Sequence, residues 1–345
     1  MPPVPRGLVY VTDRAPGIQR VRLPGPRKAA PRFRYVGPSG RRIRAARTLA
    51  RIAKLAIPPA YEEVWICASS RGHLQATGRD ARGRKQYRYH PDWSSARNDR
   101  KHSRMSSFGR GLTRLRAAVR RDLGLPGLPR EKVLALVVKL LDTTRVRVGS
   151  AEYARSNNSF GLTTLRDRHA RFTARGKASL RFRGKGGAEH DVPIDDARLA
   201  KLVRRCQELP GQALFQYQDD DGSHRAIDSG AVNDYLRENM GGEFTAKDFR
   251  TWHATLHALQ LLVKTPLPER RSDAALRRCM NAVIKDVATG LRNTPAVCRK
   301  SYINPAVFVA WQDGKLRRPA RGKSTKVASS GAARMLLALL KHSQI

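Results

Sequence analysis

The stretch NTPAVCRKSYINP, residues 293–305, places Tyr302 directly after Arg299, Lys300 and Ser301 and nine residues beyond Asn293. A phenol among cations loses its proton more readily, which makes Tyr302 a candidate nucleophile toward phosphorus. The plain alternative is an ordinary helix surface. Three more residues have types that would complete a phosphoryl-transfer site: Lys185 in RGKGG, Arg147 in TTRVRVG and Arg250 in KDFRTWHATLHA. Attack on a phosphodiester needs rigid guanidinium groups to hold the non-bridging oxygens as charge builds, and an acid to protonate the leaving oxygen. Composition and spacing do not choose among the 68 lysines and arginines of the chain. GKGG is not a nucleotide-binding loop, since the GxxxxGK[ST] pattern is absent and strand-like sequence flanks it. Lys185 is placed instead at a mobile hairpin tip, within reach of a bound phosphate.

The elements that must position these residues change character along the chain. GLVYVTD, RFRYVG, EVWICAS, HLQATGRD and KQYRYH read as short strands between PSG, SSRG and ARG turn signals, with IRAARTLARIAKLAI as an intervening helix. The proline-bearing first ~30 residues predict partial order. DWSSARNDRKHSRMSSF reads as a polar connector, after which apolar residues recur at helical spacing in GLTRLRAAVRRDL, EKVLALVVKLLDTT, DDARLAKLVRRCQEL, SGAVNDYLRENM and DAALRRCMNAVIKDVATGL. ARFTARGKASLRFRGKGGAEHDVPI interrupts the helices with strand-like alternation around a glycine-rich turn. The C-terminal KLRRPARGKSTKVASSGAARMLLALLKHSQI reads as a basic linker and a short apolar helix that needs a partner surface, most simply its own domain. The expected fold class is α+β, with a small mainly β-sheet domain over residues 1–97 and a larger, mostly helical domain over 98–345.

Charge sets the partner class. The 345 residues hold 68 Lys plus Arg against 28 Asp plus Glu, a formal net charge of +40, which repels itself unless a polyanion is present. Nucleic acid is the polyanion expected, and the spread of arginines along the whole chain predicts a surface that tracks a phosphate backbone and binds with steep salt dependence. No amphipathic run is clean enough to favour a membrane. A hydrophobic content of 40% supports packed cores. Cys67, Cys206, Cys279 and Cys298 are scattered without Cys-x-x-Cys spacing, which argues against a zinc module and predicts free thiols. MPPVPRGLVYVTDR lacks the apolar region of a signal peptide, so a soluble, cytoplasmic, nucleoid-associated protein is expected.

Taken together, LVYVTDRAPGIQRVR, RIAKLAIPPAYEEVWIC, GHLQATGRDARGRKQYRYHPDW, TTRVRVG, NNSFGLTTLRDRHARF, FRGKGG, KDFRTWHAT and NTPAVCRKSYINP resemble, in order and approximate spacing, the bacterial branch of the type IB DNA topoisomerases, which are related to the small poxvirus enzymes. The resemblance covers nearly the whole chain. It implies a catalytic fold related to that of tyrosine recombinases, with the hairpin carrying the catalytic lysine. By the same resemblance Tyr302 is the nucleophile, Arg147 and Arg250 are the two catalytic arginines, Lys185 is the general acid, and Asn293 stands where poxvirus-type members carry histidine. Tyr87 and Tyr89 match groove-facing aromatics, with Arg82, Arg84, Lys85 and Arg88 as backbone contacts. The implied activity is relaxation of positive and negative supercoils through a 3′-phosphotyrosyl intermediate. It would need no metal, ATP or other cofactor, and its partner would be double-stranded DNA clamped by a monomer with no obligate protein partner.

Two departures stand out: SAEY follows Gly149 where GNE-like sequence is common, and Arg292 replaces a frequent glycine, where it either contacts the DNA backbone or crowds the turn. A tyrosine recombinase is a second reading, disfavoured by Lys247 at the histidine position of the HxLRH block. A non-enzymatic, architectural DNA-binding protein is a third, since charge alone supplies affinity.

Overall fold

Short alternating runs rich in β-branched and aromatic residues pair into an antiparallel sheet in the first of two units, Met1–Arg100 and Lys101–Ile345. The computed structural model describes residues 4–26, 30–173, 177–219, 221–316 and 325–342, so the basic segment 317–324 lies outside the described residues. In chain order the first unit holds β1 (Gly17–Arg22), β2 (Phe33–Val36), helix α1 (Ala46–Lys54), β3 (Glu62–Cys67), β4 (Leu74–Arg79) and β5 (Lys85–Tyr89), in sheet order β2-β1-β3-β4-β5. β3 is buried on both faces. Val64 and Ile66 pack with Ile18, Ile52 and Ala76, while Trp65 and Cys67 pack with Leu74 and Val11. Gly17 has no room for a side chain: a Cβ there would lie 2.1 Å from Trp65 Nε1, which donates to the Ala15 carbonyl at 2.9 Å.

GLVYVTD, expected as a strand, is not one. It contributes a single bridge, Val9 with Gly72, and its backbone pairs with the loop before β4 through Val9 N–H to Arg71 O (2.8 Å) and His73 N–H to Val9 O (2.9 Å). The strand of this region is the later GIQRVR, where Ile18 reaches the core.

Helix α2 (Pro91–Ser103) carries the chain from the first unit into the second, so the expected connector is helical. There follow α3 (Met105–Leu123), α4 (Arg130–Thr144), α5 (Ala151–Asn157), β6 (Ala170–Phe172), β7 (Ala178–Arg183), β8 (Glu189–Ile194), α6 (Ala197–Gln207), β9 (Gln216–Gln218) and β10 (His224–Ala226). The unit ends with α7 (Ser229–Met240), α8 (Ala246–Lys264), α9 (Asp273–Leu291), α10 (Pro295–Ser301), α11 (Ala306–Gln312) and α12 (Thr325–His342). α4 is apolar nearly all round, with Val133 to Val138, Leu140 and Leu141 buried, as befits a central helix. α3, α7 and α8 pack around it, and α12 lies on α3 and α8 with Leu336 and Leu340 in the same core. β6, β7 and β8 form an antiparallel sheet, and Arg183 pairs with Glu189 at the end where the β7–β8 hairpin turns.

One buried ionic junction ties three helices. Asp142 in the last turn of α4 accepts from Arg116 of α3 (Nε 2.9 Å, Nη2 3.1 Å) and faces His253 Nε2 of α8 at 3.1 Å. Burial pushes this carboxyl up, but the hydrogen bonds and charges of His253 and Arg116 prevail and hold it far below the usual range. Its stabilisation is therefore complete above the unfolded value near 3.9 and is lost as pH falls toward the folded one. Asp142→Asn should lower the urea-unfolding free energy at pH 7 by about 2–3 kcal/mol, the worth of charge-assisted hydrogen bonds. The gap between variant and wild type should close as the unfolding series is taken below about pH 4; a gap independent of pH would mean that the carboxylate charge is not what holds the junction.

Candidate active site

A capping box opens α8: Asp248 Oδ2 accepts from the Thr245 N–H at 2.8 Å and from its hydroxyl at 3.0 Å. The fixed turn presents Arg250, which is only 5% exposed. Its Nη1 donates to the Arg145 carbonyl at 2.5 Å and its Nη2 to the Leu291 carbonyl at 2.9 Å. Both acceptors lie at helix ends, Arg145 as the left-handed residue (φ 60°) that stops α4 and Leu291 as the last residue of α9. Such carbonyls lack intrahelical partners and carry the negative end of the helix dipole, so they hold a guanidinium well. Nε is buried without a partner among the described residues.

Arg147 is placed by a clamp that the sequence reading missed. Leu162 N–H donates to the Arg147 carbonyl at 2.9 Å, and Thr163 donates to the Val148 carbonyl through its N–H (2.7 Å) and its hydroxyl (3.0 Å). Gly161 allows the two segments to touch, because a Cβ there would lie 2.6 Å from the Arg147 carbonyl and from Gly149 N. The signal was present as paired glycines in RVRVG and SFGLTT, but only the contact between them gives it meaning.

Tyr302 ends α10, a short helix started by Thr294, whose hydroxyl accepts from Val297 N–H at 3.3 Å, and by Pro295. The buried hydroxyl of Thr255 on α8 pins the Tyr302 backbone, donating to its carbonyl at 3.2 Å and accepting from Asn304 N–H at 3.0 Å. The Arg250 guanidinium lies 5.3 Å from the centre of the phenol ring. Lys101 Nζ lies 4.8 Å from the same centre and donates to the Ser301 carbonyl. Burial pushes the Tyr302 hydroxyl up, but Arg250 foremost, then Arg147 and Lys101, bring it below the ordinary tyrosine value. Arg147, Arg250 and Tyr302 thus form one cluster, joined by Lys101, which no spacing had distinguished from its basic neighbours.

Asn293 follows the end of α9, with its N–H donated to Ala288 O at 2.9 Å and its Nδ2 buried without a partner among the described residues. Arg292 takes the left-handed position (φ 50°) that favours glycine, and its Nη2 donates to the Asp191 carbonyl of β8 at 2.9 Å. The turn therefore accommodates the arginine and uses its side chain to tie α9 to the sheet. Lys185 occupies the hairpin tip, where Gly186 (φ 81°) and Gly187 (φ 84°) supply the left-handed turn. It is exposed, and its described contact is with Tyr153 of α5, Nζ 5.7 Å from the ring centre, not with Tyr302.

In the first unit Tyr87 (50% exposed) and Tyr89 (36%) share one face of β5 and stack, with centroids 6.1 Å apart. Tyr10, unforeseen and also exposed, stacks on His73 at 4.2 Å. Lys85 lies 5.9 Å from the centre of the Tyr87 ring and pairs with Asp13. Arg84 pairs with Asp80 at 2.7 Å, and Arg88 donates to the Ala56 carbonyl at 3.1 Å. Arg82 sits in the β4–β5 turn, its backbone N–H on Asp80 Oδ1 at 3.0 Å. All four cysteines are free thiols. No helix among the described residues is long and apolar enough to cross a membrane.

A phenol among cations, beside one guanidinium fixed by two carbonyls and a second arginine whose backbone is clamped, in a chain that also carries a lysine-tipped hairpin, has the parts of an enzyme that makes and breaks phosphodiesters. Comparison with known proteins narrows the class. Residues 90–314 match the family described as the catalytic core of eukaryotic DNA topoisomerase I, and residues 32–80 match the N-terminal domain of bacterial DNA topoisomerase IB. DNA topoisomerase 1B of Acanthamoeba polyphaga mimivirus is 34% identical over 258 residues, covering 73% of this chain and 76% of the viral one. DNA topoisomerase 1B of Vaccinia virus (strain Copenhagen) is 23% identical over 264 residues, with the same coverage of 73% and 76%. The chain belongs to the type IB DNA topoisomerases.

Removing Lys101's charge should raise the proton affinity of Tyr302. The ascending limb of the pH profile for supercoil relaxation should move to higher pH in Lys101→Ala and return toward wild type in Lys101→Arg. An unmoved limb with a uniformly lower rate would reduce Lys101 to a structural strut.

Proposed function

We propose that the chain relaxes positive and negative supercoils by transesterification through Tyr302. The observation that carries this reading is the depressed phenol of Tyr302 held against Arg250, with Arg147 and Lys101 adding to the same field. The phenol gives its proton to water, its oxygen bonds to the scissile phosphorus, and the bond from phosphorus to the 5′-oxygen breaks, leaving a 3′-phosphotyrosyl bond. The 5′-oxygen takes a proton from Lys185. The freed strand swivels and its 5′-hydroxyl attacks back, which restores the phosphodiester and the tyrosine.

Arg147 and Arg250 stabilise the pentacoordinate transition state, where preorganised donors act most strongly. Asn293 donates to a non-bridging oxygen, a role supported by its unpartnered Nδ2. An amide cannot be protonated in the working range, so this position supplies no pH switch of the kind histidine would. Covalent linkage conserves the bond energy, so religation needs no ATP, and the arginines and lysine supply the positive charge that a metal would otherwise bring. In this reading the catalytic unit, with its lysine-bearing hairpin, shares its chemistry and fold with tyrosine recombinases.

Duplex DNA is the partner and one chain suffices. The exposed Tyr87 and Tyr89 of the first unit meet the groove, with Arg82, Arg84, Lys85 and Arg88 on the phosphates beside it, and Arg292 of the second unit is a further contact to the DNA backbone. Nucleoid association follows from the charge.

The test is a suicide duplex incubated in EDTA and resolved on a denaturing gel, with plasmid relaxation in parallel. Wild type should form a covalent adduct and relax both signs of supercoil without ATP, and Tyr302→Phe should do neither. Adduct formation by Tyr302→Phe, or relaxation abolished by chelation, would overturn the assignment.

A further inference from the structure

The sequence reading assigned no part to His190, although the charges of Arg292, Arg147 and Arg250 all act on it. It is the second residue of β8, and its ring is 6% exposed. The ring stacks on Phe182 of β7 with centroids 4.8 Å apart and an interplanar angle of 14°. Its edge faces the hairpin tip: a Cβ added to Gly184 would fall 2.5 Å from His190 Nε2 and 2.6 Å from Cδ2, so the backbone immediately before Lys185 rests against the imidazole. Nδ1 is buried without a partner among the described residues.

The surroundings explain why an imidazole can be kept here. Burial foremost, then Arg292, Arg147 and Arg250, push its pKa down to about 4, so the ring is neutral at physiological pH. A neutral flat ring packs against the hairpin backbone, within the field of those guanidiniums, without adding a further charge. A lysine or arginine at this place would add to the repulsion, and an aliphatic residue would lose the flat face on which Phe182 stacks. The strand that carries His190 is itself tied to the end of α9, since Arg292 donates to the carbonyl of Asp191, the next residue of β8.

Lys185 itself is exposed. An acid on a flexible four-carbon stem works only if the backbone beneath it is fixed, because a displacement of about 1 Å costs on the order of 100-fold. Of the two left-handed glycines after Lys185, Gly186 touches nothing, since a Cβ there would meet no atom within 4 Å, and Gly187 closes the turn by donating its N–H to the Gly184 carbonyl at 3.0 Å, so the height of the tip follows that of Gly184. The anchor lies on the other side of the lysine, at Gly184 against His190.

We propose that His190 is a positioning residue for Lys185, a neutral floor under Gly184 that fixes the height of the hairpin tip relative to Arg147 and Arg250. This rests on the reading of Lys185 as the acid that protonates the 5′-oxygen. It separates His190 from the residues that act on the phosphate itself, because its effect passes wholly through the leaving group.

A substrate whose leaving atom needs no acid isolates that effect. Single-turnover cleavage is measured on a suicide duplex with the ordinary 5′-oxygen and on one with sulfur as the 5′ bridging atom, which departs as a stable thiolate. The proteins compared are wild type, Lys185→Ala, His190→Ala and Gly184→Ala, the last pressing a methyl group onto the imidazole while leaving His190 in place. Thermal melting reports folding, and Gly184→Ala carries the test if His190→Ala does not fold. On the oxygen substrate Lys185→Ala should lose about 100-fold or more, and His190→Ala and Gly184→Ala about 10- to 100-fold. On the sulfur substrate all three should come within about threefold of wild type, as expected when only proton donation is impaired.

Rescue of Lys185→Ala without rescue of the folded His190 and Gly184 variants would overturn the inference, as would unchanged cleavage of the oxygen substrate by those variants. Failure of sulfur to rescue Lys185→Ala would instead overturn the reading of Lys185 as the acid, and with it the premise.

Discussion

A buried guanidinium held by two helix-end carbonyls is the constraint around which the second unit is arranged. Arg250 is costly to bury, and it is accommodated because α4 and α9 both end where their free carbonyls can receive it. α4 is brought to that point by its packing in the centre of the core and by the Asp142 junction, which locks its last turn to α3 and α8. α9 ends there because Arg292 turns left-handed and reaches back to β8. With two of its nitrogens committed to carbonyls, the guanidinium has a fixed orientation, and its charge is presented to the phenol of Tyr302. α8 also sets that phenol's backbone through Thr255, so one helix places both the cation and the proposed nucleophile.

The cluster works through an asymmetry between charged and neutral groups. Several cations face Tyr302, and their combined field outweighs the burial that would otherwise keep the phenol protonated. The groups that fill the remaining space carry no charge: His190 is neutral, Asn293 is an amide, and Cys298, pushed up by burial, is a thiol. In the proposed reaction the bound phosphate brings the opposite sign to this concentration of positive charge.

Regular elements were legible where the pattern was long or strongly periodic. EKVLALVVKLLDTT read as a helix, whose central place only the structure shows, and the inward residues of β7 and β8, including His190, follow the alternation of ASLRFR and EHDVPI. GLVYVTD misled because apolar content alone does not show which backbone will pair with it, and its hydrogen bonds went to the loop at Arg71–His73. The site was less accessible. Arg147 and Arg250 could not be told from other arginines by spacing, and only likeness to a family singled them out. The clamp of Gly161 on Arg147, the approach of Lys101 to Tyr302 and the seat of Gly184 on His190 join residues far apart in sequence or depend on side-chain direction, which no local pattern encodes.

The central claim is that Arg250 acts as a forked group, oriented by two carbonyls while its charge serves the reacting phosphate. Single-turnover adduct formation by Arg250→Lys and Arg250→Ala tests this most directly. A lysine keeps the charge but cannot bond both carbonyls in the fixed planar geometry of a guanidinium. The account predicts that the lysine variant is slowed by about 100-fold or more, close to the alanine variant, as for loss of a preorganised donor. A lysine variant within about tenfold of wild type would show that charge alone suffices, and would contradict the account.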